Sequence, residues 1–447
     1  MKIPGATSIT LTVPVMSGDR RPARIVDLEL SLAIEDVPAF DSDGYGYRDA
    51  WFIVRIFDEA VGMVTMGFPD GAAALMANAI ADAVRFECGD VIAARVAEAG
   101  GDVDSALAGL GTSHTREPAF LAAHARWASD GPDITVAICT RNRPADLMRA
   151  LDSLREQSYP RFRVVVVDNA PPDDATRAAV TSRPASERIT YVSESRPGLS
   201  WARNCALDII TTPVVAWLDD DEVADRHWLM ETAAAFCLDP AAAAVSGVVV
   251  PAELRTMPQL WFEEFGGHSK GRGFTGAHFS QRDGGQDPLY PLPPFGVGAN
   301  MAFDTAQLRA VGGFDTALGA GTLTQGGEDT LVFSQLLLAG GTIVYRPTSL
   351  TRHYHRPDYD SLARQMRGYG TGLTAYYSSL VRSDWRLLVR LLRLAPQALR
   401  DVSRGGEARA VPDSFPKELL GVKTRGMAQG PWLYARARRA ARRLGRP

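Results

Sequence analysis

Residues 214–222 read V-V-A-W-L-D-D-D-E, five apolar residues running straight into four acids. An apolar run of that length with β-branched members suits a strand buried on both faces of a parallel sheet, so it requires strands beside it and helices over it. Three adjacent carboxylates at its end repel one another and are costly to hold unless a cation sits among them, and oxygen donors of this kind select Mg2+ or Mn2+. The competing reading puts Asp219, Asp220, Asp221 and Glu222 in a solvated turn leading to the acidic first turn of a helix over 225–236.

The flanking sequence supplies what such a strand needs. The pattern predicts a strand at 134–139, a helix at 145–157, a strand at 162–167 ending at Asp168-Asn169, a short strand at 189–192 and a helix at 198–210. Alternation at this spacing implies an α/β fold with a doubly wound, mostly parallel sheet, whose ligands bind beyond the carboxyl ends of the strands. The polar clusters Thr140-Arg141-Asn142-Arg143, Asp168-Asn169 and Asp219 to Asp221 each follow a predicted strand immediately.

Further on, Phe295-Gly296-Val297-Gly298-Ala299-Asn300 precedes a β-like stretch at 301–303, its small residues allowing close backbone approach to a ligand or simply a packing turn. Gly326-Gly327-Glu328-Asp329 opens an apolar helix at 330–338, where acids can equally cap the helix. Beyond a strand at 341–345, alternation in Arg352-His353-Tyr354-His355-Arg356 projects His353 and His355 to one side of an extended segment, as two metal ligands would be, with Tyr354 turned away.

Eight motifs in order, V-A-I-C-T-R-N-R, V-V-V-D-N-A, G-L-S-W-A-R-N, W-L-D-D-D-E, G-A-N-M-A-F, V-G-G-F-D, G-G-E-D and H-Y-H-R, span about 134–356. In that order they resemble the inverting family-2 nucleotide-sugar glycosyltransferases of the GT-A fold. The resemblance implies that Asp168 accepts from the nucleotide base, with Thr140 and Arg141 on the same side, and that Arg203 reaches the nucleotide while Asn204 orders the turn. Asp219 and Asp221 correspond to the two acids of the D-x-D signature. Asp221 is then the first-choice metal ligand, Asp219 lies nearer the ribose or also on the metal, and Asp220 lies beside the nucleotide. His355, slightly ahead of His353, completes the metal site, and Gly298 and Asn300 face the acceptor. Within the Glu328-Asp329 pair, Asp329 takes the proton from the attacking hydroxyl, a base that weakly nucleophilic sugar hydroxyls need.

The implied enzyme is a metal-dependent, inverting glycosyltransferase, using Mg2+ or Mn2+ to move a sugar from a UDP- or dTDP-sugar to a glycan, lipid-linked or small-molecule acceptor. Two alternatives stand beside it. A nucleotidyltransferase would want a Gly-rich triphosphate loop after the first strand, where T-R-N-R-P has no glycine; a non-catalytic nucleotide-sugar-binding module would not need Asp329. No G-x-G-x-x-G follows the first strand, against a dinucleotide site. Sugar choice is expected to reside in the loop 261–287.

At 447 residues the chain exceeds one ordinary core. Three regions are expected: a small α+β domain with its linker at 1–130, the GT-A domain at 131–357 and a helical, basic region at 358–447. In the first, β-like runs at 50–57 and 61–67 form a hairpin, 72–99 is helical and 100–126 is linker. Net charge is −4, yet residues 381–447 hold sixteen basic and five acidic residues, a net +11 against −15 for the rest. Arg382, Arg386, Arg390 and Arg393 share one arc of a helix whose remainder is apolar, so the tail either packs on the catalytic domain or makes peripheral contact with an anionic membrane; nucleic acid is not expected as a partner. The four cysteines are too widely spaced for a zinc module or a disulfide framework and read as small buried hydrophobes. Without a signal-like N-terminus or a spanning apolar run, the expected location is cytoplasmic, including the inner face of the membrane.

Overall fold

The structure, a computed structural model, describes residues 21–269, 271–281, 289, 296–403 and 415–445. It contains two compact units. The first comprises Met1–Ala125 together with Glu253–Glu264. Strand Tyr47–Ile56 runs parallel to Arg21–Glu29 and antiparallel to Glu59–Gly67. The predicted hairpin turns at Phe57 and Asp58, both at positive φ. Helix Ala77–Glu98 buries Ile80, Val84, Cys88, Ile92 and Val96, a four-residue spacing that lines one face. At Gly62 a Cβ would stand 2.5 Å from the Cys88 Sγ, so glycine lets sheet and helix approach.

Two expectations for this region are corrected. The supposed linker 100–126 holds a helix at Val103–Leu107, capped by Asp102, and the start of another at Ala119–Asp130. The segment Glu253–Glu264, read as part of the catalytic region, belongs to the first unit: the Ala23 N–H donates to the Leu254 carbonyl, and Leu254 and Leu260 pack with Ala23 and Trp51. Apolar residues at a short helix do not reveal from sequence which core they join.

The second unit, Arg126–Ala252 with Phe265–Pro447, is built on an eight-stranded mixed sheet. In spatial order its strands are Ala277–Phe279, Thr342–Tyr345, Ala242–Ser246, Asn300–Asp304, Val214–Leu218, Ile134–Thr140, Phe162–Asn169 and Ile189–Glu194. The last four are mutually parallel, as the alternation predicts, whereas Asn300–Asp304 runs antiparallel to both its neighbours. All five residues of Val214–Leu218 are buried, Trp217 meeting Phe314 edge to face. Register pairs Ile134 with both Phe162 and Val214, and Thr140 with Asp168, which brings the polar strand ends to one edge.

Glu222–Ala224 is a strand, neither a solvated turn nor a helix start, and pairs antiparallel with Thr351–His353; the next helix begins at Trp228. Buried Glu222 makes this possible by accepting from the Asp219 N–H at 3.0 Å and the Thr351 hydroxyl at 3.1 Å. The acidic turn is thereby tied to a segment about 130 residues away in sequence.

The C-terminal helices Tyr359–Ser383, Arg386–Ser403 and Lys417–Arg443 lie in the same compact unit as the sheet, so the expected boundary at 358 is not a boundary of packing. The first and last cross at glycines: a Cβ on Gly370 would lie 2.0 Å from the Lys423 carbonyl and one on Gly426 2.5 Å from that of Arg367. Arg382 leaves the predicted arginine row, donating to the Tyr434 hydroxyl at 3.1 Å. Residues 404–414 of the tail lie outside the described residues.

Candidate active site

Asp219, Asp220 and Asp221 follow the central strand, but their side chains go three ways. Asp220 accepts from the Thr140 hydroxyl at 2.7 Å and from Arg143 at 3.1 Å, and burial beside Asp221 pushes its carboxyl up to about 6. Thr140 and Asp220, both expected at the nucleotide, are thus bonded to each other. Arg141 is exposed, and its neighbour Arg143 is the arginine that turns inward.

Asp221 divides its two oxygens. Oδ2 takes Arg143 and Arg356, each at 3.1 Å, while Oδ1 faces His353 Nε2 at 3.3 Å. Burial works against its charge, yet His353, Arg356 and Arg143 hold the carboxyl well below the usual carboxylate range. Asp219, a third exposed, lies 3.6 Å from Arg203.

The predicted alternation after the last strand is present: His353 and His355 are buried with Nδ1 atoms 3.1 Å apart, while Tyr354 turns away under Arg149. A third imidazole joins them. His268 packs against His353 at 4.4 Å between ring centres, and one nitrogen from each of His268, His353 and His355 falls within 4.8 Å of the others. Sequence reasoning missed His268, since nothing in a lone histidine 85 residues upstream predicts a common site. Two donors 3.3 Å apart, as Asp221 Oδ1 and His353 Nε2 are, suit ligands each about 2.0–2.2 Å from one ion, so the donor chemistry fits a divalent cation.

Asp168 is fully buried at the end of its strand. One oxygen accepts from the Tyr191 hydroxyl at 2.9 Å and the other makes no well-formed hydrogen bond; burial raises the carboxyl's pKa, against the lowering pull of the Tyr191 and Thr176 hydroxyls. A buried carboxylate oxygen without a donor is a position at which a ligand N–H would be favoured. Asn204, inside helix Leu199–Ile209, holds a distant segment rather than its own turn, donating to the Phe314 carbonyl and accepting from the Phe314 N–H.

Arg203 is 2% exposed and ties three segments together, donating to Glu328 at 3.0 Å and the Gly298 carbonyl at 3.5 Å beside Asp219. The resemblance implied that Arg203 reaches the nucleotide; here its guanidinium is held by Glu328 and lies beside Asp219. Glu328 is buried as its partner, and burial next to Asp329 pushes its carboxyl up to about 7. Asp329, half-buried in the first turn of helix Glu328–Leu338, projects beside Gly298, where a Cβ would stand 2.8 Å from its Oδ2. Asn300 faces inward, donating to the Val248 and Ser349 carbonyls and accepting from Trp228, so its amide serves the core rather than an acceptor. Phe295 and residues 270 and 282–287 of the expected sugar loop lie outside the described residues.

The loop carrying Asp329 is held from behind. Gly327, at φ 91°, lies so close to helix Tyr359–Ser383 that a Cβ would meet the Gly372 carbonyl at 2.5 Å, and one on Gly372 would meet Gly326 at 2.7 Å. Thr371 donates to the Thr324 carbonyl at the same crossing. Gly372→Ala is therefore expected to displace Glu328 and Asp329, lowering turnover by about tenfold or more through lost positioning while nucleotide affinity stays within about twofold. Steady-state rates alongside calorimetric nucleotide binding check this; equal losses in both would mean general unfolding.

A cavity of about 560 Å3, lined by Asp133, Arg161, Arg163 and Arg188, opens instead at the amino ends of the strands and contains none of these groups.

With carboxylates gathered at the carboxyl ends of the parallel strands, the chain can be compared with known proteins. Residues 135–304 match the family described as Glycosyl transferase family 2. The succinoglycan biosynthesis protein ExoM of Rhizobium meliloti is 32% identical over 48% of this chain and 64% of its own length. The pre-mycofactocin glycosyltransferase of Mycobacterium tuberculosis is 31% identical over 52% and 45%, and a glucosyl-dolichyl phosphate glucuronosyltransferase of Haloferax volcanii is 25% identical over 42% and 57%. This chain thus spans about half to two thirds of the length of those relatives. A mannosyltransferase from Pyrobaculum calidifontis, solved with GDP-Man and Mn2+, overlaps 73% of the chain and 83% of its own at 20% identity and a TM-score of 0.42, too loose to bear on activity. These matches class the chain with the glycosyltransferases, as a family-2-like protein. Among the described residues, no helix is long and apolar enough to cross a membrane.

Proposed function

We propose that this chain transfers a glycosyl group from a nucleoside-diphosphate sugar to an acceptor hydroxyl by a single displacement. The observation that carries the reading is the convergence at one sheet edge of Asp168, the acidic turn, three imidazoles and Asp329. On this reading the unpartnered Asp168 oxygen accepts a ring N–H of uracil or thymine, which favours UDP- or dTDP-sugars. The imidazoles of His268, His353 and His355, with Asp221 against His353 Nε2, would hold Mn2+ or Mg2+, and Asp219 would face the ribose or the ion. Of the two ions, imidazole donors count against Mg2+, which is bound through oxygen, and so leave Mn2+ the better match.

The bound ion would supply positive charge to the departing diphosphate. Arg143 and Arg356 keep Asp221 ionised and correctly turned. Asp329 takes the hydroxyl proton as the acceptor oxygen bonds to C1 and the bond from C1 to the diphosphate oxygen breaks, which inverts the anomeric centre. Glu328, anchored on Arg203, fixes the helix turn from which Asp329 projects. Names of the relatives point to glycan or lipid-linked acceptors, and Gly298, whose missing Cβ leaves room for the Asp329 carboxylate, lies where that acceptor hydroxyl would approach.

The test is nucleotide release from a panel of sugar nucleotides with Mn2+, together with NMR of the product. Acceptor-dependent release with an inverted anomer is the expected result. A retained configuration would exclude the single displacement, and tight donor binding with no release against any acceptor would favour a binding module.

A further inference from the structure

Helix Arg386–Ser403 carries three rows of side chains along its first half. At 100° per residue, Leu387, Leu391 and Leu394 share one side, and they pack on the cluster containing Leu380, Tyr376 and Tyr434. Arg386, Arg390 and Arg393 form a second row about 100° away. A third consists of Leu388, Val389 and Leu392, which are 45%, 44% and 62% exposed, joined by Trp385, 69% exposed in the turn just before the helix. One apolar face is satisfied by the protein, and a second apolar face points to solvent with the arginines between the two.

We infer that this second face docks on an anionic lipid bilayer, with the Trp385, Leu388 and Leu392 row entering the headgroup boundary and the arginine row against lipid phosphates. Charge argues for that occupant: residues 385–394 contain three arginines and no acid. Size argues the same way, because four side chains fall far short of the roughly 800 Å2 per partner of a standard protein interface. A shallow apolar row reinforced by basic residues is, by contrast, sufficient for reversible surface attachment. None of these residues belongs to the proposed active site, so the inference stands or falls independently of the transfer reaction.

The full chain would be sedimented with phosphatidylglycerol-containing and with pure phosphatidylcholine vesicles at low and high salt. Binding is expected only to the anionic vesicles and to be lost at high salt, as screening shortens the range of the attraction. Arg386→Gln, Arg390→Gln and Arg393→Gln together should weaken it about a hundredfold, each arginine adding a roughly fivefold factor. Leu388→Ser with Leu392→Ser should also release the protein, with its melting temperature and nucleotide binding unchanged. Absence of vesicle binding at low salt, or binding insensitive to both sets of substitutions, would overturn the inference; so would a dimer in ultracentrifugation that the serine variant dissolves, which would assign the face to a second copy of the chain.

Discussion

Asp329→Asn is expected to retain donor binding and lose glycosyl transfer by about 10²-fold or more, the usual contribution of a positioned base. Asparagine preserves the size of the side chain, so its packing beside Gly298 survives while the proton acceptor does not. The helix turn beneath it stays anchored, because Glu328 and not Asp329 carries the ion pair to Arg203. Single-turnover rates with calorimetric donor affinity separate the two effects. Should the variant turn over at the wild-type rate, the base lies elsewhere, with the adjacent Glu328 next in line; its buried ion pair to Arg203 is the reason it is the second choice.

Asp221→Ala is expected to abolish divalent-dependent donor binding. The substitution removes the oxygen facing His353 and also leaves Arg143 and Arg356 without their shared partner. Two cations facing one another without the carboxylate would repel, so some loss of stability accompanies the loss of metal, and the smaller change His268→Ala provides the cleaner companion. It leaves the arginines untouched and should weaken Mn2+ affinity about ten- to hundredfold, the range for groups that support or complete a metal shell. Titration of Mn2+ by calorimetry in the absence of donor reads His268→Ala, and titration of donor with and without Mn2+ reads Asp221→Ala. Unchanged affinity in His268→Ala would remove that imidazole from the site, and unchanged metal-dependent donor binding in Asp221→Ala would remove the central claim.

Periodicity and chain neighbours made much of this protein legible from its residues alone. The alternation from Ile134 to Leu218 located the four parallel strands, because buried apolar runs and helix spacing are local properties. For the same reason Asp168, the acidic triplet and Glu328-Asp329 fell at strand and helix ends, and the two-residue spacing of His353 and His355 set them side by side. Which of these groups face one another was decided only in three dimensions. Arg143 rather than Arg141 reaches the acids; Arg203 is sealed against Glu328; Asn300 is drawn into the core; Glu222 becomes a strand residue; His268 arrives from a distant segment. Each of these depends on partners tens to more than a hundred residues away, and a buried charge or amide takes its direction from whichever partner satisfies it, information that no local pattern carries.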